Sequence, residues 1–471
     1  MISWTRTLIV CPLALGLLCA ADWPMFRGPN GSGVAHEKNL PVEFGPEKNL
    51  VWKTPLPPGH SSPVLVGNRI YLTGFEGEKL FTFALDRETG KIQWRREAPR
   101  ARKQKLHQSN SPASSSIATD GRNSYAFFTD FGIISYGPDG EERWRHALGY
   151  FNNPFGQGAS PVLSGNTLLM ACDQESGSYF IALDKDTGKT KWRVERPDYT
   201  RGFSTPILWK PKDGPQQALL AGSYRLTGYE VETGKEVWFV RGLTWQLKPT
   251  PVMDADHIYV LGWAGEADPG QQEVIPNYEE VLKTLDANKD GKLTKAELAD
   301  PKLEKQWESL DLDTDGFMDS RDWAMYQAKR SVVNGVNAFR LGGSGDMTGK
   351  NTLWRYSKSL PNVPSPLLYE GVLYLVKDGG ILTTLDPKTG NMLKQARLPA
   401  APGPYFSSPV GADGKVYTLS EEGKLTVLKA GGEWEILSTN TIDEGCYGTP
   451  AIADGKIYVR SGSALYCFAK N

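Results

Sequence analysis

Apolar residues in this chain gather in short runs broken by turns, and helical spacing is rare. Five runs share one form: Ile70-Tyr71-Leu72, Ile258-Tyr259-Val260, Leu373-Tyr374-Leu375, Val416-Tyr417-Thr418 and Ile457-Tyr458-Val459. Such runs, rich in β-branched and aromatic residues, predict strands. Each follows a Ser or Thr before Pro, an apolar run and a turn. That signal stands at Ser62-Pro63, Ser160-Pro161, Thr205-Pro206, Thr250-Pro251, Ser365-Pro366, Ser408-Pro409 and Thr449-Pro450, and without Pro at Ser114 to Ile117. Pro suits the first residue of a strand, where its missing N–H costs little.

A second signal closes each unit. Ala84-Leu85-Asp86-Arg87-Glu88-Thr89-Gly90-Lys91-Ile92-Gln93-Trp94 returns at Ala182 to Trp192, drifts at Gly228 to Trp238, and loses its Trp at Thr384 to Lys394. Each copy predicts strand, tight turn, strand, with Asp bonding its own downstream backbone and Gly taking a positive φ. The Trp offers a large plate for a neighbouring unit. Eight starts, usually 41 to 52 residues apart, with room for four short strands each, predict an all-β, eight-bladed β-propeller. The last unit ends at its third strand, Leu465 to Phe468. The early strand Asn49 to Thr54 can supply the fourth, which closes the ring and sets Trp52 where the outer Trp belongs. An open solenoid leaves Trp52 and the short last unit unexplained. Trp94, Trp144, Trp192, Trp238, Trp354 and Trp434 complete that set, and only the unit with Lys394 lacks one.

The fifth unit is interrupted. Its start at Pro251 and the next at Pro366 lie 115 residues apart. The acidic, helix-forming stretch 266–330 reads as an insert after the second strand, dividing the propeller into 22–265 and 331–471. Asp286-Ala287-Asn288-Lys289-Asp290-Gly291-Lys292-Leu293-Thr294-Lys295-Ala296-Glu297 fits a twelve-residue calcium loop. Asp286, Asn288 and Asp290 supply oxygens, Lys292 its carbonyl, Gly291 the sharp turn and Glu297 a bidentate carboxylate. The second loop offers Asp311, Asp313, Asp315, the Phe317 carbonyl, Asp319 and Asp322. Its last acid is one methylene shorter than Glu, which predicts weaker Ca²⁺ binding or a preference for Mg²⁺. Tyr278 to Leu285 predicts the entering helix. Only 13 residues, Leu298 to Leu310, separate the loops, so a static site is expected rather than a groove that opens.

Composition adds bounds. The formal net charge of −1 calls for neither nucleic acid nor an anionic membrane as partner. Arg6, an apolar run from Leu8 to Leu18 and Cys19-Ala20-Ala21 predict a cleaved export signal over 1–21, hence a periplasmic or extracellular protein with no membrane span. Lipidation at Cys19 is disfavoured by Leu18. Export permits a Cys446–Cys467 disulfide; the alternative is that Cys172, Cys446 and Cys467 are small buried hydrophobes. Residues three to five before each Ser/Thr-Pro are expected to ring one channel mouth: His60, Gln157, Arg201, Gln246, Lys248, Asn362, Tyr405 and Tyr447, with Trp245 as a stacking face. Arg201 and Lys248 can hold an anion, which suits a small ligand or a protein at the mouth; the favoured alternative is that these are solvated turn residues around a water-filled channel. The other four His, His36, His107, His146 and His257, read as surface or loop residues, and the run Arg100 to Lys105 as a solvated loop.

The Ala-x-Asp-x-x-Thr-Gly-x-x-x-Trp motifs resemble the tryptophan-docking repeats of pyrroloquinoline quinone dehydrogenases and their relatives. Trp23 to Gly33 and Gly59-His60-Ser61-Ser62-Pro63 resemble exported bacterial quinone-binding-like propellers, some carrying EF-hand inserts, and the two acidic loops resemble an EF-hand pair. The resemblance implies eight blades and no established reaction. Those dehydrogenases hold the quinone between a Trp and adjacent Cys residues, beside a Ca²⁺. This chain has no Cys-Cys pair and no Cys-x-x-Cys-His. The first expectation is therefore a calcium-binding scaffold or binding module. The alternatives are a pyrroloquinoline quinone-dependent oxidoreductase and an envelope protein assembly factor.

Overall fold

The hairpins that end most blades are built from one local device. Asp86 Oδ1 accepts from the backbone N–H of Glu88 (3.1 Å) and Thr89 (2.8 Å) and from the Thr89 hydroxyl. Asp184 does the same with Asp186 and Thr187. The glycine that follows sits at φ +71° at Gly90 and +70° at Gly188, a region that only Gly enters without strain. The computed structural model describes residues 22–470 apart from 299, 308, 309 and 443. The expected signal, 1–21 with Cys11 and Cys19, lies outside the described residues.

Eight antiparallel sheets follow one another around a central channel. Blades one to seven take their strands from 64–98, 118–147, 162–195, 207–241, 252–356, 367–397 and 410–441. Blade eight joins Ala451–Ala453, Lys456–Arg460 and Ala464–Ala469 to the early strand Leu50–Pro55, whose Trp52 pairs with Cys467. The third and fourth strands of blades one to seven share a bulge one residue beyond a fixed cross-strand pair. That pair is Ala84–Trp94, Ser135–Trp144, Ala182–Trp192, Gly228–Trp238 and Ala338–Trp354 in the first five blades. No described helix is long and apolar enough to cross a membrane.

Trp94, Trp144, Trp192 and Trp354 reach over the turn of the next blade. Their indole N–H groups donate to the carbonyls of Pro138, Lys185, Val231 and Pro387, at 2.9 to 3.0 Å. Two expectations need correction here. Trp434 precedes the outer strand Glu435–Thr441, and the docking position of blade seven is Ser438, paired with Val427. Trp434 instead completes the blade that lacks a docking Trp. Lys394 Nζ donates to the Trp434 carbonyl at 2.7 Å and lies 4.5 Å from its ring centroid, so an ammonium replaces the indole N–H. Trp238 is the second case. Its N–H turns inward to Gln217 Oε1, and the strand Gly345–Asp346 of blade five adds in parallel to the outer edge of blade four.

The Ser/Thr-Pro signal also does more than start strands. Seven of the eight hydroxyls accept from the backbone N–H of the corresponding residue one blade earlier: Ser62 to Ser116, Ser116 to Ser160, Ser160 to Thr205, Thr250 to Ser365, Ser365 to Ser408, Ser408 to Thr449, and Thr449 back to Ser62. These bonds run from 2.9 to 3.1 Å and stitch the innermost strands around the channel. Each contributes about 1 kcal/mol, and more would be lost by orphaning the buried N–H. The N-terminal segment covers the far end of that channel. Trp23 bridges Leu65, Asn30 exchanges two hydrogen bonds with Leu208, and Arg27 Nη2 donates to the Pro366 carbonyl. Cys172, Cys446 and Cys467 are free, buried thiols, so the expected disulfide is absent among the described residues.

Candidate functional site

Between the second and third strands of blade five the chain leaves the sheet. It forms helix α1 (Tyr278–Leu285), two short helices α2 (Lys295–Leu298) and α3 (Pro301–Lys305), and helix α4 (Ser320–Ser331). Tyr278, Val281, Leu293, Leu298, Leu310, Met318, Trp323 and Tyr326 make a separate small core under them. The two acidic loops fold alike. In the first, Asp286 Oδ2 accepts from Gly291 N at 2.9 Å, Asn288 Oδ1 from Asp290 N at 2.9 Å, and Asp290 Oδ1 from Lys292 N at 2.9 Å. In the second, Asp311 Oδ2 accepts from Gly316 N at 3.0 Å, Asp313 Oδ1 from Asp315 N at 3.3 Å, and Asp315 Oδ1 from Phe317 N at 2.9 Å. Both glycines need positive φ, +81° and +89°. The loops meet through an antiparallel pair, Leu293 with Met318.

The last acids behave differently. Glu297 accepts from Thr294 N (2.9 Å) and Ala287 N (3.2 Å), and these bonds hold its carboxyl low. Asp322 is buried, which pushes its carboxyl up to about 6 despite bonds from Asp319 N and Leu312 N. Asp319 caps α4, accepting from Arg321 N and Asp322 N. Carboxylate oxygens of Asp311, Asp313 and Asp315 converge within 4.8 Å of one another, a spacing that suits a single cation. Lys292 points its Nζ at Asp315, 3.2 Å away.

The insert does not stay over blade five. Arg321 Nη2 donates to the Glu175 carbonyl (3.1 Å), Asn152 Nδ2 to the Leu312 carbonyl (3.0 Å), and the Tyr224 hydroxyl to the Met325 carbonyl (3.2 Å). The second loop therefore leans on the entry loops of blades three and four. There Arg201 pairs with the buried Glu175. Its guanidinium lies over Phe155 and Trp245, at 5.2 and 5.4 Å, and Lys329 of α4 covers Trp245 at 4.7 Å. Burial raises the Glu175 carboxyl even against Arg201. A cleft of about 530 Å³ separates Asp311 and Thr314 from Lys105, Asn152 and Tyr150. Arg100 and Arg102 are not solvated: Arg100 Nε pairs with buried Asp130 at 2.7 Å, and Arg102 donates to the Thr129 and Leu148 carbonyls.

Only some of the expected mouth residues share one site. The channel holds a cavity of about 280 Å³, with Phe26 of the N-terminal segment among its lining. Lys248 and Asn362 line it, and Lys248 Nζ donates to Asn362 Oδ1 (2.8 Å) and Gln246 Oε1 (3.1 Å). His60 and Tyr447 stack face to face at 4.0 Å, and Tyr447 bonds Glu421. Burial, with Arg460 nearby, lowers His60 to about 4. Gln157 is buried against the Asp173 carbonyl. Tyr405 must be withdrawn: it is 1% exposed in the core of blades six and seven, bonded to the Ala401 carbonyl. Its neighbour Phe406 lines the cavity instead, with Phe155, Phe203 and His107. Successive residues of an extended chain face opposite ways. The channel position is thus two before the Ser or Thr, as in His60, Phe203, Lys248, Phe406 and Tyr447, and that rule would have found both Phe203 and Phe406.

A pyrroloquinoline quinone does not fit this cavity. It carries several carboxylates, and the lining offers one ammonium, no acidic residue to hold a metal and no adjacent cysteines. Burial pushes each thiol up to about 12.

Comparisons with known proteins agree with this architecture. The family model described as outer membrane protein assembly factor BamB matches residues 45–176, 114–266 and 181–471. The protein of that name from Burkholderia pseudomallei (strain K96243) is 25% identical over 248 residues, which cover 49% of this chain and 58% of that relative. Among solved structures, BamB from Moraxella catarrhalis superposes with a TM-score of 0.57 at 12% identity, over 90% of this chain and 98% of that one. A europium-containing methanol dehydrogenase gives 0.60 at 11%, over 96% and 98%. The quinohemoprotein alcohol dehydrogenase of Comamonas testosteroni gives 0.57 at 12%, over 96% and 81%. At these identities the structural likeness speaks for the fold alone.

Proposed function

This chain belongs to the family of the outer membrane protein assembly factor BamB, and on that premise we propose that it is an exported, calcium-binding propeller that holds other envelope proteins. Asp286, Asn288, Asp290, the Lys292 carbonyl and Glu297 take one Ca²⁺. Asp311, Asp313, Asp315, the Phe317 carbonyl, Asp319 and Asp322 take a second, weaker one. The observation that carries the calcium reading is the repeated loop: the same backbone bonds to the first, third and fifth residues, joined at Leu293 and Met318. The insert then acts as a fixed brace from blade five to the loops of blades three and four, and calcium sets its shape. Closure of the ring by Leu50–Pro55 gives the rigid frame that a scaffold needs.

Calorimetry with the full chain tests the metal claim. Two Ca²⁺ bind, with dissociation constants inside the span of about 10⁻⁷–10⁻³ M known for such loops, and Glu297→Gln removes one. Equal binding before and after that change rules out the ligand set. The assembly reading is tested by surface-immobilised protein against an unfolded outer-membrane β-barrel protein and against its assembly machinery. Saturable binding to either supports it, and binding to neither refutes it.

A further inference from the structure

We propose that the central cavity is a binding site for a compact aromatic monocarboxylate, its ring among Phe155, Phe203 and Phe406 and its carboxylate on the Lys248 ammonium. The inference stands apart from the calcium and assembly readings, since no residue of either loop lines this cavity.

Charge is the first ground. Lys248 Nζ donates to two neutral amide oxygens, of Asn362 and Gln246, and lies 6.0 Å over the Trp263 ring, and among the described residues no carboxylate pairs with it. The nearest other rim cation, Arg201, is already committed to Glu175. Lys248 is half-buried, and a cation drawn this far from water is ordinarily paired with an acid. Arg27, next along the chain from Phe26, repeats the pattern. It is fully buried, donates to the Pro366 and Ser32 carbonyls, and its Nε and Nη1 have no hydrogen-bond partner. Neither Arg27 nor Lys248 has a carboxylate partner among the described residues.

Shape and polarity are the second ground. Four phenylalanines supply most of the apolar lining: Phe155 meets Phe203 edge to face at 6.3 Å, and Phe26 and Phe406 add further ring surface, while Ser109, Asn110, Ser365 and Ser408 add polar groups. Ring faces and edges in that arrangement receive a flat apolar ligand. The volume of about 280 Å³ lies at the small end of ligand sites, which begin near about 300 Å³, so one or two fused rings fill it. Lys248 is the only Lys or Arg in the described lining, so one carboxylate can be charge-paired there, which is why one is specified.

Titration gives the site a signature. Burial, then the neighbouring Arg201 charge, lowers the Lys248 amine to about 7. An anion reverses both effects, so binding above that pH takes up a proton.

The experiment uses the full chain, titrated by fluorescence with naphthoate and, as neutral partner, naphthalenemethanol. Naphthoate should bind at least tenfold more tightly, and its affinity should be level below pH of about 7 and fall about tenfold per pH unit above it. Lys248→Met should abolish the preference for the acid, with unchanged circular dichroism showing that the variant folds. If that variant misfolds, the wild-type pH profile decides. Equal affinity for acid and alcohol, no saturable binding of naphthoate, a profile flat through pH about 9, or a folded Lys248→Met that keeps the preference would each overturn the proposal.

Discussion

Replacing Gly188 by Ala separates two costs that the repeated turn combines. Gly188 sits at φ +70°, and a Cβ there would lie 2.5 Å from Trp144 Cε3. Gly165, in another turn of the same blade, sits at φ +57° with nothing within 4 Å of its Cβ position. Ala at Gly165 meets only the left-handed backbone penalty of about 1–2 kcal/mol, less about 0.4–1 kcal/mol for the stiffer unfolded chain. The net cost is about 1 kcal/mol. Ala at Gly188 must also push the indole off its seat. That loses the Trp144 Nε1 bond to the Lys185 carbonyl at 2.9 Å, worth about 1 kcal/mol, and part of a packing contribution of about 3–5 kcal/mol for a whole buried aromatic. A total near 3–4 kcal/mol follows for Gly188→Ala. Unfolding entropy of about 2.1 cal/mol/K per residue, over roughly 450 residues, makes 1 kcal/mol about 1 °C of Tm. Scanning calorimetry should therefore show drops of about 1 °C for Gly165→Ala and about 3–4 °C for Gly188→Ala. In a Trp144→Leu background the two substitutions should cost the same to within about 0.5 kcal/mol. Equal drops in the wild-type background, or an undiminished difference after Trp144→Leu, would show that the Trp–Gly contact does not fasten the blades.

Two further outcomes follow from the ring and from a half-buried acid. Ser365→Ala removes the acceptor of the Thr250 N–H (3.0 Å) and should cost about 1–3 kcal/mol. Ser365→Thr, which keeps the hydroxyl, should be near neutral, and amide exchange at Thr250 reads the effect directly. Burial alone would raise Glu444, but bonds from Ser461, Ser463 and Tyr466 outweigh it and hold the carboxyl at about 2, against 4.5 unperturbed. A depressed carboxyl stabilises the fold above its unfolded value, and that contribution is lost as pH falls from 4.5 toward 2. Acid titrations of Tm should show Glu444→Gln losing part of the wild-type slope in that window, and an unchanged slope would refute it.

The blade count and the docking positions of Trp94, Trp144, Trp192 and Trp354 were readable because both are local. An Asp-x-x-Thr-Gly turn carries its own hydrogen bonds, so it folds the same way at Asp86 and at Asp184, and a Ser/Thr-Pro start marks a strand by its backbone alone. Pairs formed between blades were harder to read. Lys394 looks like a lost Trp until its ammonium is seen on the Trp434 carbonyl. Trp238 looks like any other until Gly345–Asp346 covers its strand, an addition with no motif of its own. The hydroxyls of the Ser/Thr signal looked like strand punctuation because their donors lie a whole blade earlier in the chain. The mouth was blurred by phase. Reading three to five residues before Ser/Thr-Pro mixed both faces of an extended chain, admitting Tyr405 and missing Phe406. The position of the insert was not readable, because Arg321 and Glu175 meet from elements with no sequence relation.

Sequence and structure also rank the two acidic loops differently. Glu297 makes the first loop the better match by side-chain reach. The second loop, however, buries its end acids, with Asp311 5% and Asp322 3% exposed, while the corresponding Asp286 and Glu297 of the first are half-buried. Asp311 gains backbone donors from Asp315 and Gly316, and Asp322 from Leu312 and Asp319. Those bonds offset part of the cost of burying two carboxyl groups so close together, and no basic side chain approaches the pair more closely than Arg321, 3.8 Å from Asp322, among the described residues. A loop kept only for packing would gain by apolar residues at both positions, since removing buried ionic groups is often neutral or stabilising. Acids retained under Leu312 and the blade-three loop therefore favour a cation in the second loop over a merely structural turn.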